Sequence, residues 1–133
     1  MNQVFEQRLG ALLAHGDASV AGGKRGVEKE SLRVTSDGYL AQTPHPPGLG
    51  SALTNRFITT DFSEALLEFV TPALGSPWEA LQVVCDIHHF AYLQLGEDLL
   101  WCASMPCRLP ADADITLARY GDSNVGRMKT VYR

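Results

Sequence analysis

Apolar residues recur at Val4, Phe5, Leu9, Leu12 and Leu13. That spacing puts them on one side of a helix and predicts a helix over 4–15, stopped by Gly16. The period then changes. "KRGVEKESLRV" at 24–34 reads as a short strand, with Glu28, Glu30, Leu32 and Val34 on one face and Lys29, Ser31 and Arg33 on the other. "SDGY" at 36–39 holds an Asp-Gly turn signal and predicts a hairpin with a short returning strand. Three prolines and two glycines within 43–51 mark a loop. The strongest helix signal is "SPWE": Ser76 caps, Pro77 takes the first helical position and Glu79 completes a capping box. That helix is expected to run to about Leu95 and stop at Gly96. The apolar run 99–105, ending against Pro106, predicts a buried strand. Ser123 and Asn124 are good caps for a last helix that reaches Arg133 without a stop signal, so the chain reads as cut rather than finished.

The first strand poses a problem, because Glu28 and Glu30 fall on its greasier face. Burying ionised carboxylates without partners costs several kcal/mol, so that face needs a cation, a hydrogen-bond network or exposure. "ITTDFSEALLEFVTP" at 58–72 repeats the problem with Asp61, Glu64 and Glu68. As a helix, Glu64 and Glu68 lie four apart on one solvated face. As a strand, Ala65, Leu67 and Phe69 form one apolar face, while Glu64, Leu66, Glu68 and Val70 mix acids with aliphatics on the other. The "FVTP" ending favours a strand, but periodicity leaves the two readings even. Two such strands could present carboxylates to a hard divalent cation such as Mg²⁺. A solvated face and a glycosidase-like acid and base pair remain open, although no aromatic platform for a sugar stands in these stretches.

The 133 residues, 45% hydrophobic and 20% charged, suit one globular domain with a core. A net charge of −4 provides no basic field, so nucleic acid is not expected as a partner. No apolar run approaches a membrane span, and Glu6 and Arg8 stand where a secretory signal would be apolar, so no membrane partner and a cytoplasmic location are expected. Cys85, Cys102 and Cys107 form no CxxC pair and are read as reduced, mostly packing residues. His88 and His89 diverge by about 100° on a helix, which favours packing or surface roles over a shared metal. There is no Walker-type phosphate loop, and "GLGS" at 48–51 is too short for a dinucleotide fingerprint.

Three stretches together resemble one family: "RGVEKESLRV" at 25–34, "GSALTNRFITTDFSEALLEFVTP" at 50–72, and "SMPC" at 104–107 followed by "LARYGDSNVGRMKTVYR" at 117–133. They are similar to the amino-terminal portion of the proteobacterial type of glutamate–cysteine ligase. The resemblance implies an α+β chain that is part of a glutamine synthetase-like catalytic fold, a curved antiparallel sheet with packed helices, holding Mg²⁺ and ATP. It favours a strand for 64–70. It implies Glu28, Glu30, Asp61 and Glu68 as Mg²⁺ ligands and Tyr132 as part of the cysteine pocket, while Glu64 matches a family acid with no assigned metal role. The implied reaction makes γ-glutamylcysteine from L-glutamate, L-cysteine and ATP through a γ-glutamyl phosphate, the first step of glutathione biosynthesis. Members of the family are several times longer, so residues 1–133 are expected to be an amino-terminal fragment of one larger catalytic domain, inactive alone. The alternative is a noncatalytic metal-binding remnant or interaction module of the same fold.

Overall fold

The computed structural model describes residues 2–16 and 22–131. Helix α1 (Gln3–Ala14) is capped by Asn2, whose side chain accepts from the Val4 N–H at 3.1 Å. The helix forms as its spacing predicts, yet none of its residues is buried, and Phe5 and Leu13 stay 57% and 70% exposed.

The body is a four-stranded antiparallel sheet in the order β2-β3-β1-β4, built from β1 (Glu28–Val34), β2 (Ile58–Thr60), β3 (Leu66–Val70) and β4 (Leu99–Leu100). Helix α2 (Pro77–Tyr92) packs on β3. Its capping box is in place: Ser76 Oγ accepts from the Glu79 N–H, and Glu79 Oε2 accepts from the Ser76 N–H. Leu67 and Phe69, both fully buried, meet Ile87, Ala91, Leu95, Leu49, Ile58 and Leu100 in the main core. A last helix, α3 (Asn124–Val131), closes the described chain, with Ser123 Oγ accepting from the Gly126 N–H at 3.1 Å. The α+β class is as expected.

Pairing settles the ambiguous acidic stretch. It is neither a helix nor one long strand but a hairpin: β2 runs to Thr60, the chain turns, and β3 starts at Leu66. Glu64 therefore lies in the turn, not on the strand expected over 64–70. Other expectations are corrected as well. The first strand begins at Glu28, with Arg25 in an isolated bridge to Leu74. The returning strand after the Asp-Gly turn shrinks to isolated bridges: Leu40 pairs with Val34, and its N–H, pointing away from β1, donates to the Arg108 carbonyl at 2.9 Å. Helix α2 ends at Tyr92, and Gly96, at φ +65°, serves the following turn. The strand expected over 99–105 keeps only Leu99–Leu100, since Trp101 Nε1 donates to the Met105 carbonyl at 2.7 Å and bends the chain into a loop that leaves Met105 71% exposed. Cys107 packs in the core, but Cys85 and Cys102 are exposed. His88 stacks near Phe69 and Tyr92 while His89 faces out, so the two diverge as expected.

Candidate active site: the carboxylate face

The sheet register brings the predicted acids to one surface. Glu30 of β1 stands directly opposite Glu68 of β3, and Glu28, two residues along, faces Val70. Thr59 of β2 is the other neighbour of Glu68, and Asp61 follows two residues later at the end of β2. Leu32 and Leu66, also opposite each other, extend the same face. Like charges placed directly opposite on a sheet repel each other, so the Glu30–Glu68 pair taken by itself adds nothing to sheet stability.

Of the three ways out for the greasier face of β1, the structure shows exposure. Glu28 and Glu30 are exposed and Glu68 and Asp61 half-buried, whereas Ser31 and Arg33 are buried. The cause is the pairing of Lys29 with Phe69 and of Ser31 with Leu67. The face that receives α2 through Leu67 and Phe69 necessarily includes the polar residues of β1. Lys29 copes by holding its ammonium 5.3 Å from the centre of the Phe69 ring and donating to Ser31 Oγ, and burial pushes its pKa below the ordinary lysine value.

Arg33, fully buried on the side of β1 opposite Glu30, braces the sheet behind the carboxylate face. Its Nη1 meets Asp98 Oδ2 at 2.7 Å, and its Nη2 donates to the carbonyls of Thr43 at 2.7 Å and Glu64 at 3.0 Å. Asp98 Oδ2 also accepts from Thr43 Oγ1 at 2.7 Å. Beside it, His45 Nδ1 lies 2.8 Å from Thr60 Oγ1. Burial and the Arg33 guanidinium both hold the His45 pKa below its ordinary value.

Tyr120 fixes the other flank. Its ring is buried, its hydroxyl lies 2.6 Å from the Thr60 carbonyl and 3.0 Å from that of Asp61, and the Lys129 ammonium of α3 sits 4.2 Å from the ring centre. Helix α3 approaches so closely that a Cβ at Gly126 would fall 2.4 Å from the Tyr120 carbonyl oxygen. Arg33, His45, Tyr120 and Gly126 were not singled out from the sequence. Of these, only Arg33 carried a signal, as an arginine alternating in phase with what proves to be the helix-covered face. Tyr132 lies outside the described residues.

A cavity of about 340 Å³ borders the carboxylate face, lined by Glu30, Leu32, Leu66, Trp101 and Met105 among others. Among the described residues, no three His, Cys, Asp or Glu side chains gather closely enough to cage an ion. The donors form a row of carboxylates instead. Hard oxygen donors on an open face fit Mg²⁺, which usually keeps several waters and is held by one or two carboxylates plus phosphate oxygens rather than by an all-protein cage.

The glutamate–cysteine ligase family model matches residues 10–133. The chain belongs to that family. A glutamate–cysteine ligase of Alcanivorax borkumensis is 56% identical over 130 residues, which is 97% of this chain and 25% of the relative. One from Pseudomonas entomophila is 61% identical over 108 residues, 81% of this chain and 20% of the relative. Among solved structures, a glutamate–cysteine ligase of Francisella tularensis in complex with AMP superposes with a TM-score of 0.79 at 42% identity, covering 84% of this chain and 22% of that one. A bifunctional glutathione synthetase of Pasteurella multocida gives 0.73 at 34% identity, covering 80% and 15%. This ligase-family chain thus spans a quarter or less of the length of these relatives.

Proposed function

We propose that the protein to which this chain belongs is an ATP-dependent glutamate–cysteine ligase, and that residues 1–133 supply one wall of its active site, as the amino-terminal part of a larger catalytic domain. The observation that carries this reading is the cross-strand pair Glu30–Glu68, two acids set against each other on an open face with Glu28 and Asp61 alongside. Paired acids on an open face are a useful arrangement for a cation that keeps its own waters. The complex of the Francisella tularensis relative with AMP supports an adenine nucleotide as the co-substrate.

A free carboxylate is a poor electrophile. In the proposed reaction an oxygen of the glutamate γ-carboxylate attacks the γ-phosphorus of ATP, ADP leaves, and a γ-glutamyl phosphate results. The cysteine amine then attacks the acyl carbon, phosphate departs with the bonding pair, and the nitrogen gives up a proton. Mg²⁺, when bound, supplies charge neutralisation for the phosphates and aligns the transfer. Glu28, Glu30, Asp61 and Glu68 would hold it; the paired strands fix the spacing of Glu28, Glu30 and Glu68 before substrate arrives, and Asp61 stands just past the end of β2. Tyr132 is assigned to the cysteine pocket, where its ring would set the shape of the site without touching the metal. The reaction suits the cytoplasm, where ATP is abundant and cysteine stays reduced.

The test is made on the whole protein: L-glutamate, L-cysteine, ATP and Mg²⁺ should yield γ-glutamylcysteine and ADP in equal amounts. ATP consumption that proceeds equally well without cysteine and gives no dipeptide would refute the reading. A noncatalytic metal-binding module would then stand in its place.

A further inference from the structure

The carboxylates of β1 and β3 are fixed by the sheet, but Asp61 is not on a strand. It opens the turn between β2 and β3, closed by the Asp61 N–H donating to the Leu66 carbonyl and the Leu66 N–H to the Ser63 carbonyl, each at 3.0 Å. Those bonds shape the turn internally. They do not fix its tilt against the rest of the molecule.

Glu64, at the tip of that turn, does so. The residue is buried, 7% exposed, and its two carboxylate oxygens each accept from a backbone N–H of a different segment: Oε1 from His45 at 2.9 Å and Oε2 from Arg119 at 2.7 Å. Its own N–H donates to the Thr116 carbonyl at 2.8 Å, and its carbonyl accepts from Arg33 Nη2 at 3.0 Å. Two further bonds lie in parallel with these: the Ala118 N–H donates to the Phe62 carbonyl at 3.1 Å, and the Tyr120 hydroxyl approaches the Asp61 carbonyl itself. A carboxylate is the only side chain of this size that offers acceptors in both directions. Gln accepts through one oxygen and would set an NH₂ against the other N–H.

We infer that Glu64 is a positioning residue, whose carboxylate locks the β2–β3 turn between the 43–51 loop and the 116–120 segment and so sets where Asp61 stands beside Glu68. The inference rests on the reading of Asp61 as a Mg²⁺ ligand. Glu64 itself touches neither substrate nor metal.

The experiment compares full-length wild type with Glu64→Gln, Tyr120→Phe and the capping-box control Glu79→Gln. Amide hydrogen exchange without metal or nucleotide is read first. In Glu64→Gln the amides of Arg119 and His45 should exchange faster while those of the β1–β3 ladder keep their protection. The second reading is the Mg²⁺ concentration giving half of the Mg²⁺-induced rise in melting temperature with ATP present. It should increase about 10-fold or more in Glu64→Gln, less in Tyr120→Phe, and not in Glu79→Gln. Unchanged exchange at Arg119 and His45 overturns the lock. Faster exchange with an unchanged Mg²⁺ midpoint overturns the positioning role, since a merely structural residue lowers stability without moving metal affinity. If Glu64→Gln fails to fold, Glu64→Asp, whose shorter carboxylate cannot reach both the His45 and Arg119 N–H groups, carries both readings. A wild type that makes no γ-glutamylcysteine refutes the ligase reading alone, because neither exchange nor the thermal midpoint depends on turnover.

Discussion

The buried pair of Arg33 and Asp98 gives the sharpest test of how the site is braced. Replacing Asp98 with Ala leaves a guanidinium at 0% exposure facing no counter-charge. Breaking one side of a buried pair typically costs about 3 to 5 kcal/mol. The lower end applies here, because Arg33 keeps its bonds to the Thr43 and Glu64 carbonyls, and Asp98, at 11% exposure, is not wholly cut off from water. A loss of about 3 kcal/mol stands far outside the range of about 0.5 kcal/mol within which surface substitutions usually fall. If Arg33 is first changed to Met, the charge that Asp98 serves is gone, and removing Asp98 should then cost about 1 kcal/mol or less, the value of its remaining bond with Thr43. A double-mutant cycle of Arg33→Met and Asp98→Ala, read by thermal or urea unfolding, should therefore show strong coupling. Equal cost for Asp98→Ala in both backgrounds would refute the brace.

Two further outcomes follow from the flanks. Gly126→Ala should undock α3, since its Cβ would meet the Tyr120 and Gly121 carbonyl oxygens at 2.4 and 2.5 Å; exchange protection should fall in 120–131 and stay intact in the sheet, and protection kept throughout would contradict the close approach. His45 carries a pH signature. Its pKa is lowered in the fold by burial and then by Arg33, so below its unfolded value of about 6.5 the unfolded chain takes up a proton that the folded one refuses. Stability is thus full above about pH 6.5 and declines as pH falls from there towards the lowered folded pKa. His45→Gln should flatten the decline of Tm between about pH 7 and pH 5, and curves that stay parallel in wild type and variant would rule His45 out.

Local chemistry made much of the fold legible. The capping box at Ser76 and Glu79 appears bond for bond, and the alternation of Ala65, Leu67 and Phe69 marks the buried face of β3. The sequence also placed Glu28, Glu30 and Glu68 in phase, which is what the register needs to bring them onto one surface. It failed where long-range partners override local pattern. The greasier face of β1 is the open one, because α2 covers the face that β3 dictates. The strands expected after the Asp-Gly turn and over 99–105 stay short: the first gains a second neighbour at Arg108, and the second is turned away from β1 past Trp101 by the bond from its side chain to the Met105 carbonyl. Glu64 read as an undirected acid, since its two backbone donors lie 19 and 55 residues away in the chain. No spacing rule reaches that far.

The central claim is that the Glu30–Glu68 face holds the magnesium of the reaction, and a Mg²⁺ titration of initial rates in the full-length protein tests it most directly. Glu68→Gln keeps the size of the side chain and removes its charge, whereas Glu79→Gln alters only the capping box of α2, a helix-end charge worth about 0.3 to 1 kcal/mol. The account predicts that Glu68→Gln lowers the rate sharply at limiting Mg²⁺, with partial recovery as Mg²⁺ rises and little change in Tm, while Glu79→Gln follows the wild-type curve. Wild-type rates for Glu68→Gln at limiting Mg²⁺ would contradict it and leave the carboxylate row a solvated sheet face.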